Sequence, residues 1–449
     1  MKEQDLTEGS ILRTLFVFAT PFLIANILQS LYGAVDMYMV GRYCREESLA
    51  AVSVGTQVTQ IVTSLITGLT LSSTVLIGEY TGRKEKEKIK ATIGTSITMF
   101  GIVAVLLTIG MLLFGRPILQ LLNTPEESFA LTMQYVSICA LGNIFICGYN
   151  AISAILRGYG DSVRPMIFVG VACVLNVVLD FIFVKYLRLD VAGTALATVI
   201  SQTVSMFGAV LYLKCKDFIF DFKLHSFKPN MQIVKRLLLI GIPISFQELL
   251  VRISFLYLMA VMNQCGVTAA AVIGVSSKYD VFAMLSATSI ANALAAFTAQ
   301  NLGAGQPERA KKALWYGLTF AVSIAVLFWL WAQLNPQSMI SVFSKDQSVL
   351  DAGALFFTSC SYDYILVSIV FCLNGYLNGK QKTLWTMISC GFGAVCLRIP
   401  IVWFFGTYYS TDLHKLGCIA PFVSGVMACY TLIYVLLEDR GKKKISGQG

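Results

Sequence analysis

Two carboxylates stand out in this sequence for the chemistry they could do. Asp36 and Asp180 each lie inside a long apolar stretch, and throughout the N-terminal half Arg and Lys occur only at the ends of such stretches. An acid in low-dielectric surroundings with no basic partner must take up a proton or hold a cation. Tyr32 precedes Asp36 by four residues and Asn176 precedes Asp180 by four, so each pair shares one face of a helix. Thr194 and Thr198, also four apart, return to the same level on the next stretch. Single Thr or Tyr residues in such stretches are ordinary packing. Beside two unpaired acids they complete a set of hard oxygen ligands, suited to a proton network or to Na⁺.

The C-terminal half differs. Glu248, Asp280 and Asp363 are matched in number by Arg252, Lys278 and Arg398. Glu248 and Arg252 are four apart and could pair directly. These six residues either neutralise one another or line a polar cavity that meets a substrate, and the sequence leaves both readings open. Glu79 and Asp351 fall near the ends of their stretches and read as interfacial.

The elements that must hold these groups follow from hydropathy. Hydrophobic residues make up 56% of the 449 and charged ones 13%, against about 25% charged in an ordinary globular chain. Mean hydropathy is +0.71. Twelve stretches are long enough to cross a bilayer as helices: 11–41, 48–77, 92–114, 130–157, 164–186, 191–214, 233–262, 267–296, 313–332, 350–377, 384–407 and 416–437. None alternates as a barrel strand would. The segments on the side of the two termini carry 24 Lys and Arg and the opposite loops 7, which predicts a multi-pass plasma-membrane protein with both termini cytoplasmic.

The halves repeat at an offset of 221 residues: Tyr80, Gly82, Glu87 and Lys90 fall on Asn301, Gly303, Glu308 and Lys311. Leu156-Arg157-Gly158 falls on Leu377-Asn378-Gly379, and Pro21 on Pro243 within one residue. The expected architecture is all-α, with twelve transmembrane helices in two pseudo-symmetric six-helix bundles, a 6+6 repeat typical of transporters. The lobes would span 1–214 and 233–449, joined by a cytoplasmic linker at 215–232. Pro21 removes a backbone hydrogen bond within the first helix and marks a bend or a static kink.

Other classes fit poorly. The positive charges sit between apolar runs, not along an amphipathic face, so nucleic acid is not an expected partner. The twelve cysteines form no CxxC pair and only two His occur, so no cofactor or redox centre is expected. No HExxH, GxSxG or P-loop motif marks an enzyme or an ATP-driven pump. The polar, mixed-charge start does not read as a cleavable signal.

Pro21 and Asp36 in the first span, Leu156-Arg-Gly-Tyr-Gly-Asp161 after the fourth, Asn176 and Asp180 in the fifth, and Gln300-Asn-Leu-Gly-Ala-Gly305 after the eighth resemble the multidrug and toxic compound extrusion (MATE) transporters over nearly the whole chain. The resemblance implies a V-shaped pair of six-helix lobes. It implies a monomer exporting drug-like, mostly cationic organic solutes in exchange for H⁺ or Na⁺. Asp36, Asn176, Asp180 and Thr198 fall on the family's N-lobe cation site, a possible Na⁺ site, and Asn150 matches as well. That correspondence is stronger than the C-lobe one and points to the DinF-like branch. The alternative is a lipid-linked oligosaccharide flippase of related fold, which would need a cationic cavity for phosphates. The topology has a direct check. A fluorescent protein fused to the C terminus is expected to fluoresce, and a phosphatase fused there to stay inactive; active phosphatase would reverse the orientation.

Overall fold

A computed structural model describes residues 5–122, 124–215, 218–343, 346–409 and 412–446, with side chains for all of these except Leu224 and 439–446. Lys2, Lys216, Lys345 and the side chains of the basic run 440–444, counted in the charge bias above, lie outside that description. Twelve helices among the described residues are long and apolar enough to cross a membrane. They are α1 Ile11–Tyr43, α2 Glu46–Gly82, α3 Lys86–Leu121, α4 Glu126–Gly158, α5 Val163–Tyr186, α6 Asp190–Cys215, α7 Met231–Gln264, α8 Val267–Gly303, α9 Pro307–Leu334, α10 Gln347–Gly379, α11 Thr383–Tyr408 and α12 Leu413–Glu438. They match the twelve apolar stretches one for one. Several overrun them: the 37 residues of α2 span ~55 Å at the α-helical rise, against ~30 Å of hydrocarbon core.

Contacts group the chain into two compact units. The first comprises Met1–Glu8, Thr20–Ser245 and Ala299–Gly305; the second comprises Gly9–Ala19, Phe246–Thr298 and Gln306–Gly449. In the first, α2, α3 and α4 build a core from residues such as Ile77, Ile93, Phe100 and Ile155, and the start of α7 adds Leu237. In the second, Val272, Met339, Phe357 and Val402 belong to one hydrophobic cluster.

The repeat is visible in the packing. A Cβ on Gly158 would lie 2.7 Å from the carbonyl oxygen of Thr74, and one on Gly379 would lie 2.6 Å from that of Ala295. The two contacts are related by the same 221-residue offset, so α2 meets α4 as α8 meets α10. Only hydrogen fits at these crossings. At the end of α2, Glu79 is buried yet doubly satisfied: Arg236 donates from Nη2 at 2.6 Å and Arg83 pairs with it at 2.5 Å. Its position near a helix end and these two cations make it structural.

Three helices are irregular at informative places. α5 widens into a π-helical turn over Phe181–Tyr186, directly after Asp180. α10 breaks at Ser361, between Cys360 and Tyr362, two residues before Asp363. α11 has a π-helical segment, Phe392–Arg398, ending on Arg398. Such segments recur where a side chain must be aimed rather than simply packed. α1 stays continuous through Pro21.

The glycine contacts make a paired prediction. Gly158→Ala puts a methyl group against a backbone carbonyl, an overpacking that costs about 1–3 kcal/mol, so its thermal midpoint in detergent should fall by several degrees. Gly208→Ala faces open space and should leave the midpoint unchanged or slightly higher. Equal behaviour of the two would refute the tight crossing.

Candidate functional site

Four helices of the first unit, α1, α4, α5 and α6, supply the residues around Asp36 and Asp180. α1 contributes Tyr32 and Asp36, one turn apart; α5 contributes Asn176 and Asp180, also one turn apart; α6 contributes Thr194 and Thr198. Asp180 and Thr194 are fully buried, and Asp36 is 7% exposed. The carboxyl groups of Asp36 and Asp180 lie side by side, close enough to share a proton, and the Asn176 amide is the next neighbour of Asp36. The amide nitrogen of Asn176 also donates to Thr198 Oγ1 at 3.4 Å. Among the described residues no ion pair involves either acid.

The polar atoms here are not satisfied by protein. Asp36 Oδ1, both carboxyl oxygens of Asp180, Asn176 Oδ1 and Thr194 Oγ1 are buried without a hydrogen-bond partner. Two carboxylates at this separation cannot both remain charged in a buried site unless a cation joins them. A single shared proton would bridge the acids. A monovalent hard cation would instead find oxygens from Asp36, Asp180, Asn176 and Thr198. No group of His, Cys, Asp and Glu suited to a multiply charged or soft metal occurs among the described residues.

Tyr32 is close enough to act on Asp36 electrostatically, and it packs on Tyr149 and Cys173. Asn150 donates from its amide nitrogen to the carbonyl of Ile146 on its own helix, at 2.8 Å. The structure adds residues that the sequence reading left as packing. Tyr135 and Cys139 of α4 and Cys173 of α5 wall the Asp36 side. The only sequence signal for this wall was the four-residue spacing of Tyr135 and Cys139, and apolar helices are full of such spacings.

In the second unit Asp280 and Asp363 border a cavity of about 60 Å³, together with Ser276, Cys360 and Phe255. That is room for a few water molecules. Arg398 acts on Asp363 through space, donates from Nη1 to Ser254 Oγ at 3.0 Å, and lies 4.1 Å over the Phe255 ring. Arg252 acts on Glu248 in the same through-space way. The four-residue spacing aligns that pair on one face, but no ion pair among the described residues joins Glu248 to Arg252. Lys278 is exposed and stands apart from the carboxylates. Each half thus holds two acids near one another, and among the described residues only the C-terminal pair has a guanidinium beside it.

Comparison with known proteins shows the family and the fold. The sequence model of the MatE family matches twice, over residues 21–182 and 243–404, once in each half. The probable multidrug resistance protein YoeA of Bacillus subtilis is 26% identical, over 98% of this chain and 96% of its own. The multidrug export protein MepA of Staphylococcus aureus is 23% identical, with 98% of each chain covered. A MOP superfamily transporter from Pyrococcus furiosus shares the fold at a TM-score of 0.91 and 22% identity, covering 98% of both chains. With twelve membrane-spanning helices in a twofold repeat, this chain is an integral, multi-pass membrane protein and belongs to the MatE family of multidrug efflux transporters.

Proposed function

We propose that the protein exports small organic molecules, mostly cationic, in exchange for H⁺ or Na⁺ bound between Asp36 and Asp180. The observation that carries this reading is the adjacency of two buried acids with unpartnered oxygens and no base. Such a pair is stable only when a cation neutralises part of its charge, so its occupancy is set by the ion supply. Loading the pair removes the repulsion between α1 and α5 and lets them pack. Unloading restores the repulsion and favours a different arrangement of α1. Pro21, one backbone hydrogen bond short, is the point at which α1 can yield. A solute that favours the unloaded arrangement then exchanges with the ion by linkage.

Reliance on the N-terminal acids fits the DinF-like branch. The base-free site also speaks for cationic cargo and against a phosphate-bearing lipid carrier, whose flippase needs cationic groups. We place the protein as a monomer in the cytoplasmic membrane, both termini inside, on the asymmetry of its basic residues. Its functional lobes are then 1–214 and 233–449, joined by the linker at 215–232.

Substitutions test the pair. In an efflux-deficient host, Asp36→Asn and Asp180→Asn are each expected to lower drug resistance to the level of the empty vector at unchanged membrane expression. Asn150→Ala, at a residue whose amide nitrogen is committed to the carbonyl of Ile146 on its own helix, is expected to keep resistance near that of the unsubstituted protein. Full resistance with Asp36→Asn would remove the pair from the mechanism.

A further inference from the structure

A second cavity, of about 360 Å³, lies away from the acids, between α3, α4, α6 and the segment that follows α6. Its volume falls within the range of small-molecule sites. The lining is apolar, with Phe100 from α3, Ile152 from α4, Met206 and Val210 from α6, and Phe222 and Phe227 from the linker. One charged residue completes it, Lys214 at the end of α6. Met206, Val210 and Lys214 are spaced four apart, so they form one edge about 12 Å long, apolar at one end and cationic at the other.

Three features mark a built site rather than a gap. The linker over it is pinned to α3: Thr98 Oγ1 donates to the carbonyl of Phe227 at 2.7 Å, and the Asn230 amide donates to Thr95 Oγ1 at 3.1 Å. Phe222 is held at φ 52°, a left-handed conformation that a bulky residue adopts only under constraint. That conformation sets its ring on the groove, 5.9 Å from the Lys214 ammonium. Lys214 itself is exposed and has no ion pair among the described residues, so its charge is available to an outside anion.

We propose that this groove binds an anionic glycerophospholipid, with one acyl chain along Phe100, Ile152, Met206 and Val210 and the phosphate on Lys214. Basic residues at the ends of grooves between membrane helices recognise acidic headgroups in this way. The lipid would come from the leaflet bordering the end of α6, the cytoplasmic one on the topology proposed above. It would fill the space between α3, α6 and the linker.

Native mass spectrometry of the full-length protein in detergent, with phosphatidylglycerol or phosphatidylcholine of identical chains, tests this. The expected result is a preference of about fivefold for phosphatidylglycerol, the scale one lysine at an anionic headgroup supplies. Lys214→Ala should abolish the preference but not chain binding. Gly101 has no atom within 4 Å of where its Cβ would stand, so Gly101→Leu should fill the groove and reduce binding of both lipids. Equal binding of the two lipids, or a preference that survives Lys214→Ala, would overturn the proposal. So would displacement of phosphatidylglycerol by ethidium, which would make the groove a drug path. If Gly101→Leu does not fold, Lys214→Ala alone decides. Lipid retention depends neither on the coupling ion nor on which face Lys214 occupies, so it fails or succeeds independently of the transport mechanism.

Discussion

Repulsion between two buried carboxylates is the interaction around which the N-terminal half is organised. Asp36 and Asp180 come from helices far apart in sequence and meet where, among the described residues, no Arg or Lys pairs with them. In an apolar interior that meeting costs several kcal/mol unless a proton or a cation intervenes. The surroundings fit that demand. The Asn176 amide neighbours Asp36 and also donates to Thr198 Oγ1. The π-helical turn directly after Asp180 shifts the hydrogen-bond register of α5 next to this acid.

The twofold repeat makes the asymmetry of charge informative. Gly158 and Gly379 place the same helix crossings in both halves, at equivalent positions and nearly equal clearances. The scaffold is therefore duplicated and the electrostatics are not. Asp363 has Arg398 beside it and shares a water-sized cavity with Asp280. That half carries an internal counter-charge, so its carboxylates depend less on an external ion than Asp36 and Asp180 do.

Much of this was legible from residue order. Stretches of apolar residues long enough to cross a bilayer gave all twelve helices, and 384–407 fell within one residue of Thr383–Tyr408 at both ends. Helix ends were less visible, because a helix continues past the point where apolarity stops. The stretch 92–114 extends to Lys86–Leu121, where Lys86, Lys88, Lys90 and Arg116 keep helical geometry while their charges reach polar surroundings. The π-helical turns and the break at Ser361 were hidden for a related reason. Their sequences are as apolar as their neighbours, and a change of hydrogen-bond register leaves no mark in hydropathy. In the site, helical spacing was enough to align Asn176 with Asp180 and Tyr32 with Asp36. It did not show that Asn150 spends its amide nitrogen on its own helix, or that Glu248 and Arg252 act on one another without an ion pair among the described residues. Tyr135 and Cys139 were out of reach because only tertiary packing sets them against Asp36.

The assignment of coupling to the Asp36–Asp180 pair is most directly tested by transport in proteoliposomes, with a pH gradient and a Na⁺ gradient imposed separately. Dye movement by the unsubstituted protein should follow at least one of the two gradients. The Asp36→Asn, Asp180→Asn double variant should respond to neither while remaining folded. A double variant that still moves dye against its gradient, driven by the same ion and as fast as the unsubstituted protein, would contradict it.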